Sequence, residues 1–217
     1  FNRFPSVKNF YPRKASAAAK DFILNQLPAA DLRLLLMLVV GTVPAVVFGL
    51  ALHHFGMEWL RSTKIIGWNI LLFGILLWIA DRFQPSKRSI ADMTYKDAFL
   101  IGLAQCLAMI PGTSRSGITI TASRFLRLER REAARFCMLL SVPAIAGAGL
   151  LVAAEIWQSG NYENLHYALS GIGYSFIASI AAIFIMMKWL KNYTFLPFVI
   201  YRVVLGIFLL LHSYGYI

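Results

Sequence analysis

Acidic side chains are scarce in this chain: ten Asp and Glu stand against 21 Lys and Arg in 217 residues, a net charge of +11. Charge of either sign is thin as well. Charged residues make up only 14%, where a soluble globular domain carries about 25%. Cysteine is nearly absent, and Cys106 and Cys137 both stand in apolar segments, which argues against a disulfide framework and for core packing. Residue 1 is Phe, and no signal-peptide pattern follows it. The opening therefore reads as an N-terminally truncated fragment, with residues 1–32 a basic cytoplasmic loop that begins mid-stream. Residues 15–27 allow a short interfacial helix, although a solvated loop is the plainer reading.

What fills the chain is apolar. Hydrophobic residues are 59% of the total and the mean hydropathy is +0.64, the composition of a polytopic membrane protein. Windows free of Asp, Glu, Lys and Arg run over 34–57, 65–80, 98–114, 136–154, 164–187 and 203–217. A bilayer core takes about 20 helical residues. The predicted spans are 33–53, 65–81, 134–154, 170–190 and 197–213, within a single integral membrane domain over 1–217. Val43-Pro44-Ala45 and Val142-Pro143-Ala144 read as two independent proline kinks.

A basic chain invites a nucleic-acid reading, but that needs cations gathered on one soluble face. Here they sit between the spans: six in residues 1–33, four in 82–96, five in 124–135, then Lys188 and Lys191, with only Arg61 and Lys64 at 54–64 and none at 155–169. This alternation puts the basic loops on the cytoplasmic side. His53, His54, His166 and His212 then fall near external span ends, and the five Trp mostly near membrane boundaries, as an aromatic belt does. None of the histidines is assigned to a metal.

The loops at 82–96 and 124–135 are both basic, so the segment between them enters and leaves by one face. Its apolar arm, Ala98 to Ile110, reaches about 20 Å as a helix, some two-thirds of the hydrocarbon core. Pro111-Gly112 ends that arm, and a second helix begins near Gly117 and runs to about Leu126. The expectation is a re-entrant helical hairpin over 97–126, its tip wrapped by protein or lining a cavity.

At that tip stands Pro111-Gly112-Thr113-Ser114-Arg115-Ser116-Gly117. Arg115 offers a charged planar fork suited to phosphate oxygens. Thr113, Ser114, Ser116 and Thr119 can place hydroxyls around the same anion. Gly112 and Gly117 allow close backbone approach, and the helix beginning near Gly117 presents N–H groups and a positive dipole end. The alternative is a structural Arg bonded to a carboxylate or to helix carbonyls. Arg202, about one turn into the last span, reads as a snorkelling or paired cation, with a functional role the rarer alternative.

Residues Pro111 to Thr119 resemble the Pro-Gly-x-Ser-Arg-Ser-x-x-Thr signature of the undecaprenyl-diphosphate phosphatase family, also called bacitracin-resistance proteins. Met93 to Phe99, Gly102 to Ala108 and Phe195 to Arg202 are similar to that family as well, and the likeness extends from about residue 33 onward. The resemblance implies an all-α fold of six spans and two re-entrant hairpins arranged as inverted repeats, in the bacterial plasma (inner) membrane, with a pocket open to the outer side. It implies a hydrolase that removes the terminal phosphate of undecaprenyl diphosphate to recycle the lipid carrier of peptidoglycan synthesis. Mg²⁺ or Ca²⁺ dependence, bacitracin resistance and a homodimer belong to the same expectation, and no nucleic acid does.

The family's acidic (Glu/Gln)-x-x-x-Glu stretch and its Ser-Ser-Thr-Gly-His element are absent here, as is one span; they would lie before residue 1, metal ligands included. This chain then holds about five spans, one hairpin and the phosphate clamp. On the resemblance, Arg115 clamps the diphosphate, Ser114 and Ser116 assist it or supply a nucleophile, and Gly112, Thr113, Gly117 and Thr119 shape the subsite. Gln105 faces the pocket as counterpart of the acidic motif, or is a buried amide bonding between helices. The competing function for the same site is a lipid-phosphate flippase or anion carrier.

Overall fold

The computed structural model describes residues 29–55, 62–85, 87–159 and 165–216. Seven α-helices follow one another among the described residues: α1 Ala29–Phe55, α2 Thr63–Phe83, α3 Tyr95–Cys106, α4 Arg115–Phe125, α5 Arg130–Ser159, α6 Leu165–Trp189 and α7 Leu196–Ser213, with single 3₁₀ turns at Ile90–Asp92 and Leu107–Met109. Five of them are long and apolar enough to cross a bilayer: α1, α2, α5, α6 and α7. The chain is an all-α, multi-pass membrane protein.

The chain divides into two units, Phe1–Leu36 and Met37–Ile217. Of the first, the opening turns of α1 are described. The expected basic loop therefore lies outside the described residues up to position 28, as does the interfacial helix over 15–27, and residues 29–32 are already helical. Neither Pro44 nor Pro143 ends its helix.

In the second unit α2 and α7 pack along most of their length, because small residues line the contact. A Cβ on Gly206 would sit 3.1 Å from Leu71 Cβ and 3.2 Å from Gly67 O, and one on Gly67 3.0 Å from Leu210. Close backbone approach replaces the hydrophobic drive that lipid does not supply. The tightest crossing lies elsewhere: a Cβ on Gly102 of α3 would fall 2.2 Å from Gly41 O of α1.

Between α2 and α5 the chain forms the expected hairpin. Helices α3 and α4, of 12 and 11 residues, are about 18 Å and about 17 Å long, short of a hydrocarbon core of about 30 Å. Their outer ends are tied together. Lys87 and Arg88 donate backbone N–H bonds to Arg127 O (3.2 and 3.1 Å), and Glu129 N donates to Arg88 O (2.8 Å). Entry and exit thus lie side by side, as a re-entrant segment requires.

A capping box starts α3: Thr94 Oγ1 accepts from Asp97 N (3.2 Å) and Asp97 Oδ2 from Thr94 N (2.8 Å). Arg88 Nη2 reaches the same carboxylate at 2.6 Å. Burial, the largest influence, pushes the Asp97 carboxyl up; the Arg88 hydrogen bond, the Thr94 bonds and the Arg88 charge together outweigh it and leave the group below its ordinary value.

The first arm is not one continuous helix to Ile110. The α-helix gives way to a 3₁₀ turn at Leu107–Met109, and Ile110 is extended (φ −77°, ψ 120°). Pro111 is the cause, since the residue before proline is driven out of the helical region.

At the hairpin's base Asp81, the last buried residue of α2, gathers four elements. Its carboxylate lies 3.2 Å from Arg124 Nε and 2.7 Å from Arg130 Nε, and Oδ2 accepts from Phe195 N at 3.3 Å. Arg124, counted by sequence with the basic loop at 124–135, is 0% exposed. Its guanidinium also donates to the carbonyls of Leu128, Asp81 and Gln84.

Candidate functional site

The tip of the hairpin runs from Ile110 to Ser114. Gly112 has φ +90°, and a Cβ there would fall 2.5 Å from Ile66 O of α2, so both backbone and space demand glycine. Ser114 takes φ 63° and ψ 116°, a region costly to a non-glycine residue by about 1–3 kcal/mol. That conformation makes it the N-cap of α4, with Oγ accepting from Gly117 N at 3.3 Å.

Neighbouring helices hold the loop by its carbonyls. Asn69 Nδ2 of α2 donates to Pro111 O at 3.0 Å. Arg202 Nη2 of α7 donates to Gly112 O (3.1 Å), Thr113 O (2.9 Å) and Ile70 O (3.4 Å). With these acceptors turned aside, the donors remain: the N-terminus of α4 and the exposed hydroxyls of Ser114 and Ser116, 3.5 Å apart. An anion is the complement of such a surface.

A cavity of about 500 Å³ opens beside the loop. Gly112, Ser114, Ser116, Gly117 and Arg202 form its polar end, and Ile70, Leu77, Ile120, Phe195, Phe198 and Leu205 its apolar wall. It has the two-part chemistry of a pocket for an amphiphile.

The other predicted residues are placed differently. Arg115 Nε donates to Gln105 Oε1 at 3.3 Å, joining the two arms of the hairpin outside the lining of that cavity. Gln105 is 3% exposed, the buried amide of its second reading. Arg115 Nη2, Gln105 Nε2 and Thr113 Oγ1 are buried with no hydrogen-bond partner. Such orphans are uncommon, and those of Arg115 and Gln105 belong to one hydrogen-bonded pair.

Thr119 is buried against its own helix. It is 1% exposed, its hydroxyl donating back to Arg115 O (2.9 Å) and Ser116 O (3.2 Å) and lying 2.8 Å from Cys137 Sγ of α5. Four residues after Arg115, it meets its own helix's carbonyls first.

Arg202 is the residue whose place sequence reasoning misjudged. It does not snorkel: it is 9% exposed and turned into the protein. Glycines on two other elements admit it, since a Cβ on Gly74 would lie 3.1 Å from Arg202 Cβ and one on Gly117 3.0 Å from Nη1. Both were visible in the sequence, but only the fold sets them against Arg202.

Fold and site define a class: a polytopic helical membrane protein whose re-entrant loop presents serine hydroxyls and a helix N-terminus to an amphipathic cavity that Arg202 of α7 also lines. The chain belongs to the BacA family, described as Bacitracin resistance protein BacA, which matches residues 5–208. It is 42% identical to the Undecaprenyl-diphosphatase of Roseobacter denitrificans over 183 residues, 84% of this chain and 68% of that one. It is 44% identical to the Undecaprenyl-diphosphatase of Dinoroseobacter shibae over 202 residues, 93% of this chain and 76% of that one. To the protein of that name from Jannaschia sp. it is 38% identical over 204 residues, 94% and 76% of the two chains.

Proposed function

We propose that the chain acts in the hydrolysis of undecaprenyl diphosphate to undecaprenyl phosphate and inorganic phosphate. The observation that carries the reading is the joining of the donor-rich loop to an apolar wall in one cavity, the shape of a diphosphate head on a prenyl tail. The names of the matched relatives point to the same substrate.

In the reaction a water oxygen adds to the terminal phosphorus and the P–O–P bridge breaks, with the lipid monophosphate as leaving group. Catalysis of such a transfer is positioning and charge stabilisation above all. Ser114, Ser116 and the α4 N-terminus orient the terminal phosphate. Arg115, held by Gln105, stabilises the charge that develops on it.

The resemblance also brings Mg²⁺ or Ca²⁺, and the described residues do not fit such an ion. Around the loop the side chains are guanidinium, hydroxyl and amide, and among the described residues no three His, Cys, Asp or Glu form a metal-sized group.

The site of action in this reading is the bacterial inner membrane, basic loops inside and pocket open outward, which thiol labelling from either side of sealed vesicles tests. A homodimer belongs to the same reading, supported by the exposure of every residue from 171 to 185 of α6; sizing in detergent checks it.

The deciding experiment is phosphate release from undecaprenyl diphosphate by the purified gene product that carries this chain. Turnover that Arg115→Ala lowers by orders of magnitude while melting is unchanged supports the reading. Passage of labelled lipid across a vesicle membrane without cleavage overturns it in favour of a carrier.

A further inference from the structure

We infer that Arg202 is a second anion-binding cation of the cavity, meeting the diphosphate end of the substrate while it holds the loop. The name of the anion rests on the phosphatase reading; the charge argument does not.

Two arginines sealed inside this chain provide the contrast. Arg124 is 0% exposed and its charge is met by the Asp81 carboxylate at 3.2 Å, a complete structural pair. Arg202 is almost as deeply placed, at 9% exposure, yet among the described residues no carboxylate lies within ion-pair distance of it. Its bonds are to the neutral carbonyls of Ile70, Gly112 and Thr113, all through Nη2. Carbonyl dipoles solvate a cation without cancelling it. A buried uncompensated charge costs several kcal/mol, and at membrane depth such a residue is turned toward a counterion or a cavity.

Geometry supplies the place for that counterion. Arg202 lines the cavity with Ser114, Ser116 and Gly117. Its Nε is buried with no partner, and Nη1 lies 3.0 Å from the point a Cβ of Gly117 would occupy. That same point is 3.2 Å from Ser114 Oγ. The guanidinium and the capping serine therefore border one space at the start of α4. An oxyanion of phosphate size receives there a charge, a hydroxyl and helix N–H groups together, with the apolar wall adjoining. Arg115 is not among the residues that line this cavity, so the guanidinium at its polar end is that of Arg202.

The test uses the gene product carrying this chain, with Arg202→Met and Arg202→Lys, and inorganic pyrophosphate as probe. Direct calorimetric titration and inhibition of phosphate release are both read, with thermal melting alongside. Arg202→Met is expected to weaken pyrophosphate and raise KM about tenfold to a hundredfold, the loss of one charge-assisted bond. Arg202→Lys keeps the charge and is expected to recover most of the affinity. Where Arg202→Met does not fold, Arg202→Lys decides: weaker pyrophosphate binding by severalfold supports the inference, and unchanged binding with lowered melting overturns it. Unchanged affinity in a folded Arg202→Met overturns it outright and leaves Arg202 a brace for the loop. If the unsubstituted protein binds pyrophosphate through Arg202 but releases no phosphate from the lipid, the enzymatic reading fails and this one stands.

Discussion

Arg115 and Gln105 meet across the two arms of the hairpin, Nε donating to Oε1 at 3.3 Å. The bond fixes the plane of the guanidinium and leaves Nη2 buried without a partner. An arginine so held is set up to receive a ligand, and its loss should be felt in the reaction more than in the fold. Arg115→Ala is expected to lower kcat/KM by about a hundredfold to a thousandfold, as removal of a preorganised donor does, with melting close to that of the parent. Gln105→Leu, which frees the guanidinium to turn, is expected to cost about tenfold. Phosphate-release kinetics beside melting curves check both.

Asp81 predicts the opposite pattern. Asp81→Asn removes the carboxylate charge that faces Arg130 and the Arg124 guanidinium of 0% exposure. Breaking one side of a buried pair costs about 3–5 kcal/mol. The melting temperature should fall steeply, and such molecules as remain folded should keep their KM. A variant that melts like the parent and loses KM instead would place Asp81 in the substrate site.

The Asp97 carboxyl at the hairpin's entrance lies below its ordinary value, Arg88 and Thr94 outweighing burial. A depressed acid stabilises the fold fully above its unfolded pKa of about 4 and gives that stability up as pH falls through the folded value. Melting temperature measured below about pH 4 should fall more steeply in the parent than in Asp97→Asn. At neutral pH the variant should be the less stable by about 1–3 kcal/mol, having lost the charge that bonds Arg88. Equal acid slopes in the two proteins would remove Asp97 as the cause.

Gly102→Ala tests the crossing of α1 and α3. The added Cβ would stand 2.2 Å from Gly41 O, backbone that no rotamer change can move. The helices must part, with an expected cost of at least about 2 kcal/mol. Gly149→Ala is the control, since nothing lies within 4 Å of its Cβ position. Melting of the two variants side by side gives the answer.

The spans were legible because hydrocarbon imposes one rule on every crossing residue: the predicted 65–81 and 197–213 are Thr63–Phe83 and Leu196–Ser213. The hairpin was legible for a related reason, since two basic loops on one side leave no other path. The site was legible only in part. Gly112, Ser114, Ser116 and Gly117 line the cavity as their sequence clustering promised, because a short turn before a helix keeps its residues together. Arg202 was misjudged because nearness to a helix end says how far a side chain can reach and nothing of which way it turns. That direction is set by Gly74 and Gly117, distant in sequence. The burial of Arg124 was not legible for the same reason, its carboxylate partner Asp81 lying 43 residues earlier in the chain.

The bonds that join Arg88 to Arg127 and Glu129 bear on how the protein is assembled. A stretch of some forty residues pinned at its own ends has already lost a closure entropy of about 3 kcal/mol. What remains is to seat two short helices as one preformed plug among the long ones. Nothing charged between those ends has to be hauled across the bilayer and left on the far side. Among the described residues, spanning length is then asked only of the five long helices, and the tip of the hairpin takes its depth from side-on packing within the protein.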